Sequence, residues 1–485
     1  MASSQDNYPN RFIVDSIHGD IHLTEREWGV VDTASFQRLR HIKQLQMGQV
    51  TYPNATHTRF VHCLGTLRIM QRVLAAAKVH GIDLDADEHE NLRLAALLHD
   101  VGHYPYSHLL EGVDNVDLLE ERIRPPDADR KQTLDLEQKA IRYPSHVSVG
   151  VLVVTKQPDM LDAIGGEVRA KQVADLFSGE EIANKKVSRL ISSSWDLDRF
   201  DYLQRDSYAT GLPYGRIDLN YLLNSLRGNS EGEIGVHERA IPAVEHFLLA
   251  RYFMHRTVYY HRTTWAVEEA CRQLLRRLRD QKKYGVPEDG KEIETIVTSE
   301  KIHTFTDSYV DSIVRQAISD PDDVIQSLAW SIQSRNPPKL LKEICVFSDK
   351  AETVHRGAIF RGRCLRDLAG VADTKGIPLG RLLFCELKPI TVEKGVSRFT
   401  ASEYENAPSE ALRQSIRDEN EIVRVFVEGS DSPKSLLEID YSIIQKLAGQ
   451  VFRTYRLYFV PSRTDKVSPV EDLRALVRNW DTLEA

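Results

Sequence analysis

Apolar residues recur at helical spacing through most of the first 280 positions. Val61, Leu64, Leu67, Val73 and Leu74 predict a helix over residues 60–79. A polar break from Gly81 to Glu88 follows, in which Asp85 or Asp87 suits an N-cap. Residues Asn91–Asp100 then predict a buried helix that Gly102 and Pro105 end. Helical patterning returns in Val147–Lys156, Asp196–Tyr208, Leu219–Leu226 and Ile241–Leu278. Residues 120–140, charged and carrying Pro125-Pro126, predict an exposed insertion. Past Asn336-Pro337-Pro338 the pattern shortens. Arg381–Leu387, Glu421–Val427 and Thr454–Val460 are rich in β-branched and aromatic residues and predict strands. Lys434–Leu447, after Pro433, and Glu471–Trp480, after Ser468-Pro469, predict helices. The expected architecture is mainly α: a polar tail over 1–10, a helical core over 11–340, and a smaller C-terminal α+β lobe over 341–485.

Composition changes this picture little. Hydrophobic residues at 41% and charged residues at 28% are ordinary for a globular chain. Runs such as Leu94–Leu98 and Val149–Val154 are too short to span a bilayer, so no membrane partner is expected. Five cysteines without a CxxC pair fit a reducing cytoplasm, with the thiols used as small apolar groups. A net charge of -8 argues against broad electrostatic binding of DNA or RNA. It leaves room for a local cationic pocket.

The chemistry lies in His62, the pair His99-Asp100, and Asp198. Two histidines and two carboxylates can hold a divalent cation and leave positions open for water and a phosphate. His99-Asp100 ends an apolar helix, where adjacent side chains point about 100° apart. Both reach one ion only at a helix end, and Gly102 is placed to free the backbone there. The plainer alternative is a satisfied core histidine beside a capping Asp. Arg59 falls at i−3 from His62, a cation that an anionic phosphate would reconcile with a metal ligand. Asp198, Tyr202 and Asp206 form one helical stripe; Arg251, His255, Tyr259 and Arg262 form another. A solvated face accounts for either stripe alone.

Together with Ile17-His18-Gly19, Phe36 to Leu45, Arg59 to Gly65, His99 to His108 and Asp196 to Asp206, these residues resemble the HD-domain metal-dependent phosphohydrolases. Within them the likeness is to the deoxynucleoside triphosphate triphosphohydrolases: the bacterial dGTPases and the sterile-alpha-motif/HD-domain dNTPase. It extends from about residue 17 to about 262. It implies an HD-domain helical core that converts a dNTP to deoxynucleoside and inorganic triphosphate. His62, His99, Asp100 and Asp198 would hold the metal, one of Mg, Mn, Fe, Zn or Co. His108 and Glu111 match a catalytic pair, and His103 and His146 match further active-site histidines. Gln44 and Leu45 would pack on the sugar and exclude a 2′-hydroxyl. Tyr202, Asp206 and Tyr259 would complete the sugar pocket, with Arg59, Arg199, Arg251 and Arg262 facing phosphates.

Asp32, Gln37 and Arg40 preserve a pattern by which family members bind a nucleotide activator, whereas Val14 stands where a polar contact is expected. Tyr260 replaces a smaller polar residue beside the base pocket. Met1–Asn10 leaves no room for a sterile-alpha-motif domain before the core. Family habit implies a homo-oligomer, a tetramer or hexamer, under protein or nucleotide regulation. The expected purpose is dNTP-pool control or antiviral depletion of dNTPs. The basic run Arg272–Lys283 reads as a solvated face or as an inter-subunit activator site. Two rival readings stand beside this one. The first is an HD phosphodiesterase or nuclease acting on cyclic nucleotides or single strands. The second is a dNTP sensor signalling through the C-terminal lobe.

Overall fold

The computed structural model describes residues 11–79, 84–116, 118–123, 142–179, 197–229, 233–348, 351–392, 423–430, 432–447 and 450–482. Its centre is a helical bundle. The helix Arg59–Val79 packs against Ala86–Leu98 on one side and Leu197–Thr210 on the other. Asp85 is the N-cap of Ala86–Leu98 and forms a capping box with Glu88, so this helix begins five residues before the predicted start. It ends at Leu98, leaving His99-Asp100 in the turn beyond.

Gly102 serves this turn by close approach, not by a left-handed backbone. A Cβ there would lie 2.1 Å from the backbone nitrogen of Gly150 and 2.1 Å from the His146 carbonyl oxygen. Both atoms belong to the helix His146–Lys156, which Ser145 caps. Gly65 plays the same part on the helix Arg59–Val79, where a Cβ would fall 1.9 Å from Asp201 Oδ1.

The predicted long helix Ile241–Leu278 is broken. Ile241–Met254 runs into a π-helical turn, His255–Tyr259, and a new helix Arg262–Asp280 starts behind the cap His261. Of the predicted insertion over 120–140, residues up to Ile123 form the end of a short helix, Leu119–Ile123, and 124–140 lie outside the described residues.

Two antiparallel strands near the start, Phe12–Asp15 and Gly19–His22, form a hairpin that the apolar pattern does not signal. In the C-terminal region Val451–Phe459 is the central strand, flanked by Lys339–Ser348 and Leu382–Glu386, all antiparallel. Helices Ala351–Lys375 and Val470–Val477 pack on this sheet. A local core forms there around Phe360, Cys364, Leu457, Phe459 and Leu473. The predicted helix over Lys434–Leu447 is a correction. Lys434–Ser435 is a strand, Leu436–Glu438 a 3₁₀ turn, and only Ile443–Leu447 is α-helical. Ser435 caps the turn through its own side chain, and Ser442 Oγ is tied to Glu245, which halts any longer helix.

The C-terminal lobe is knit to the helical core. Strand Arg424–Phe426 pairs in parallel with Ile234–His237, Val236 opposite Val425. Leu383, Val425, Leu436, Phe452 and Tyr458 join the same apolar core as Leu67 and Leu97. Four of the five cysteines are buried and Cys345 is exposed. No helix among the described residues is long and apolar enough to cross a membrane.

Because backbone atoms occupy the space beside Gly102, Gly102→Ala is expected to destabilise the fold by about 2–3 kcal/mol. Urea unfolding of the two proteins measures this. A midpoint equal to that of the parent chain would show the contact to be yielding.

Candidate functional site

His62, His99, Asp100 and Asp198 converge from three elements, and one ligand atom of each lies within 4.8 Å of all the others. His62 Nε2 stands 2.7 Å from Asp198 Oδ1 and 3.5 Å from Asp100 Oδ2, and His99 Nε2 stands 3.4 Å from Asp100 Oδ1. Both Nε2 atoms are buried and stand against carboxylate oxygens without a well-aligned hydrogen bond. A cation at ligand distances of about 2.0–2.2 Å would satisfy both at once. The donor set fits a divalent metal.

The other nitrogen of each ring is already engaged. His99 Nδ1 donates to the Ala96 carbonyl at 2.9 Å, and His62 Nδ1 meets Asp201 Oδ2 at 2.7 Å. Such partners fix the tautomer and point Nε2 at the ion. Asp201 also receives His18 Nε2 at 2.6 Å and two contacts from Arg205 at 2.8 Å, while Arg205 reaches on to Asp15 at 2.9 Å. The N-terminal hairpin therefore braces the site. Burial opposes charge on His62, but Asp198 and Asp201 outweigh it and push the pKa up to about 10. Burial also opposes ionisation of Asp201, which Arg205, His18 and His62 hold well below the usual carboxylate range. A metal ion takes Nε2 of His62 only in its unprotonated form.

A second group sits beside the first. His103, His108 and His146 offer nitrogens within 4.8 Å of one another. The rings of His103 and His146 stack at 4.3 Å, and His108 stands edge-on to both. Glu111 accepts from His108 Nδ1 at 3.0 Å and from His146 Nδ1 at 3.0 Å. Burial works against its charge, yet these two histidines lower its pKa far below the ordinary value. The His108 pKa is lowered, by partial loss of solvation and by the positive charges of Arg59 and His146, with Glu111 opposing, while half of its side chain remains exposed. His103 Nε2 is 3.1 Å from Asp100 Oδ1, which links the two groups.

Beside them opens a cavity of about 250 Å³. Asp198, Arg59, His108, Gln44, Leu45, Tyr202, Asp206 and Tyr259 are among its lining residues, and Asp206 stands just over two helical turns, about 12 Å, along its helix from Asp198. Tyr259 donates to Asp206 Oδ2 at 2.7 Å, and His57 Nε2 meets Asp206 Oδ1 at 2.7 Å. The π-turn delivers His255, Val258 and Tyr259 to this wall, and Thr264 and Glu268 complete it from the next helix.

Residues 59–206 match the HD domain family, and residues 217–328 match the HD associated region. The chain carries an HD domain. It is 33% identical to the uncharacterized protein YwfO of Bacillus subtilis, over 56% of this chain and 58% of that protein. It is 36% identical to the uncharacterized protein MJ1154 of Methanocaldococcus jannaschii, over 52% of this chain and 46% of that protein. A Dictyostelium discoideum protein named as a deoxynucleoside triphosphate triphosphohydrolase SAMHD1 homolog is 27% identical, over 53% and 48%. The chain thus spans about half the length of the curated relatives it matches. Among solved structures, a phosphohydrolase from Bacteroides thetaiotaomicron superposes with a TM-score of 0.65 at 21% identity, covering 93% of this chain and 99% of its own. That likeness concerns the fold, and it extends into the C-terminal lobe.

The HD domain gathers most of the residues singled out from sequence, but not all. Arg59 does not extend freely into the cavity: its Nη1 donates to Asp100 at 2.5 Å and its Nε to Ser107 Oγ at 2.9 Å. Arg199 is buried on its helix and does not line the cavity. Arg251 is turned to the C-terminal lobe, donating to the carbonyls of Thr391 and Val392. Arg262 is exposed and borders a different cleft, with Lys339 and Arg474. The predicted stripe of Arg251, His255, Tyr259 and Arg262 fails because the π-turn changes the rotation between its members. Tyr260 donates to the Lys388 carbonyl and does not border the cavity. Gln37 and Arg40 are joined at 2.7 Å, Arg40 stacks 3.6 Å from the Phe60 ring centroid, and Asp32 is exposed. The run Arg272–Lys283 is no free cationic face: Arg276 pairs with Asp280, Arg277 with Glu120, and Arg279 with Asp114.

Sequence reasoning placed His18, Asp201 and Arg205 within the matching motifs but gave them no role, although Asp201 and Arg205 are an i,i+4 pair on the helix of Asp198; it did not single out His57 or Glu268. Burial pushes the Glu268 carboxyl up to about 7, with Arg272 only partly opposing. Between about pH 4.5 and 7 the unfolded chain gives up this proton while the folded chain keeps it, so stability falls as pH rises. Glu268→Gln is expected to remove a loss of about 3 kcal/mol across that window. Denaturant titrations at pH 4.5 and 7.5 check it; parallel stabilities for both proteins would refute the shift.

Proposed function

We propose that this HD-domain chain is a metal-dependent triphosphohydrolase that converts a dNTP to deoxynucleoside and inorganic triphosphate. The observation that carries the reading is continuity. One cavity joins Asp198, Arg59 and His108 to a wall built from Gln44, Leu45, Tyr202, Asp206 and Tyr259. Phosphates at the first end and a sugar at the second would fill it in the order a nucleotide has them. Relatives named as SAMHD1 triphosphohydrolases, at 25–27% identity, support the substrate class.

A divalent cation held by His62, His99, Asp100 and Asp198 supplies Lewis acidity toward a phosphoryl oxygen and toward water. Arg59, locked by Asp100 and Ser107, keeps a fixed positive charge where phosphate oxygens gain negative charge. Glu111 accepts the Nδ1–H of His108, so Nε2 carries a proton for the leaving 5′-oxygen only in the imidazolium form, which the Glu111 charge favours. His146, held by the same Glu111, and His103 stacked on it keep that edge of the site rigid. Leu45 and Gln44 close on the sugar at its 2′ position, and Tyr202 with the Tyr259–Asp206 pair completes the sugar pocket. The Gln37–Arg40 pair, with exposed Asp32, is the surface for a nucleotide activator. Arg40 lies on Phe60, the neighbour of Arg59, which ties that surface to the metal helix. Assembly as a tetramer or hexamer belongs to this reading.

A second reading has a specific observation behind it. The His103, His108 and His146 nitrogens are spaced to take a second cation, as a two-ion phosphodiesterase would need.

Product analysis separates the two. Purified chain with Mg or Mn, given each dNTP and NTP singly and in pairs, is expected to release deoxynucleoside and inorganic triphosphate. Pyrophosphate or monophosphate as product overturns the reading, and two metals per chain with phosphodiester cleavage favours the second. His108→Ala is expected to keep its metal and lose about 10²–10⁴ in kcat. Unchanged turnover would remove His108 from proton transfer. His62→Ala is expected to purify without metal, as read by elemental analysis.

A further inference from the structure

The turn that presents His108 holds two non-glycine residues at positive φ: Tyr106 at 54° and Ser107 at 57°, the latter with ψ −112°. Such a conformation is unfavourable for a residue with a side chain and persists only where the surroundings impose it. The helix Asp307–Ala317, from the HD associated region, does so. Asp307 is buried, and its Oδ1 accepts the Tyr106 N–H at 2.6 Å. Its Oδ2 accepts the Lys43 N–H at 3.0 Å and the Lys43 ammonium at 3.3 Å. One helical turn on, Asp311 accepts the Tyr106 hydroxyl at 2.8 Å. Ser107 closes the ring: its hydroxyl donates to the Lys43 carbonyl at 2.8 Å and accepts from Arg59 Nε at 2.9 Å.

Lys43 precedes Gln44, and Tyr106-Ser107 precedes His108. Gln44 and His108 line the same cavity. A single carboxylate therefore spans the two segments that carry these walls, one oxygen on each. We propose that Asp307 is a positioning residue that sets the His108 side of the cavity against the Gln44 side. This rests on the chain being a phosphohydrolase that uses His108. A carboxylate is required because two peptide N–H groups converge on one side chain. An amide offers one acceptor oxygen and turns an N–H toward the other donor. A cap for the helix alone would need neither bond.

The test uses the full chain, with Asp307→Asn and Asp307→Ala, and Asp311→Asn as a second break in the same grip. Metal content, melting temperature, kcat and KM for the hydrolysed dNTP, and hydrogen exchange over residues 99–111 and 59–79 are measured. Asp307→Asn is expected to keep full metal content and to lower kcat about 100-fold. KM should stay within about threefold, and exchange should rise over 99–111 but not over 59–79. Asp307→Ala should do the same more strongly, and Asp311→Asn more weakly. Turnover per metal-loaded molecule close to that of the parent chain overturns the proposal. So does exchange that rises equally in both segments, which marks general loosening. If Asp307→Ala does not fold, Asp307→Asn, of nearly the same shape, decides. Should the parent chain hydrolyse no nucleotide, the proposed function fails by itself. The exchange measurement then judges the clamp alone, and unaltered exchange over 99–111 sinks it.

Discussion

The Asp201 carboxylate is wholly buried behind the metal ligands, and the site is organised by the need to satisfy its charge. Taking a carboxylate out of water costs several kcal/mol unless hydrogen bonds and opposite charge offset it. Here three side chains from three elements do so: His62 from the metal helix, His18 from the N-terminal hairpin, and Arg205 from the helix of Asp201 itself. Arg205 is in turn neutralised by Asp15, the last residue of the hairpin's first strand. The helices can approach closely enough for this only because position 65 has no side chain. The orientation of His62 toward an ion is thus a by-product of burying one charge well. A residue outside the cavity lining sets the direction of a candidate metal-binding ring.

The cavity is lined from three sources: residues 44–48, the HD domain and the HD associated region. The HD domain supplies the metal ligands, the three histidines around Glu111, and the Asp198–Asp206 face. The associated region supplies Tyr259, Thr264 and Glu268, through a π-turn that carries one wall inward, and Asp307, which reaches across to both loops. Neither region alone encloses the space. Arg251 and Tyr260 stand on the associated region's wall but point away, fastening it to the C-terminal lobe through carbonyls at 391, 392 and 388.

The metal set was legible because its chemistry restricts residue type so tightly: His62, His99, Asp100 and Asp198 stood out before any fold was known. The helices were legible from their period, and the end of the Ala86–Leu98 helix was anticipated to within two residues. Other features left no local trace. The hairpin strands have four residues each, too few to establish an alternation. The break at 255–259 is invisible because the apolar pattern continues through it. The helix Ala351–Lys375 was overlooked, and Lys434–Leu447 was misread because serine and proline suit a turn as well as a helix start. Asp307 shows the general limit: its role depends on two loops more than two hundred residues upstream, which no window along the chain connects.

The parallel pairing of Ile234–His237 with Arg424–Phe426 bears on how the molecule comes into being. During vectorial synthesis the strand at 234–237 emerges long before its partner. Until the later strand arrives, that edge offers unpaired N–H and C=O groups to any passing chain. Closing so long a loop is slow relative to helix formation, so the helical half can collapse early while its sheet waits. Completion of the core then waits until synthesis has passed residue 426, and the interval before it is when the nascent chain depends most on chaperones.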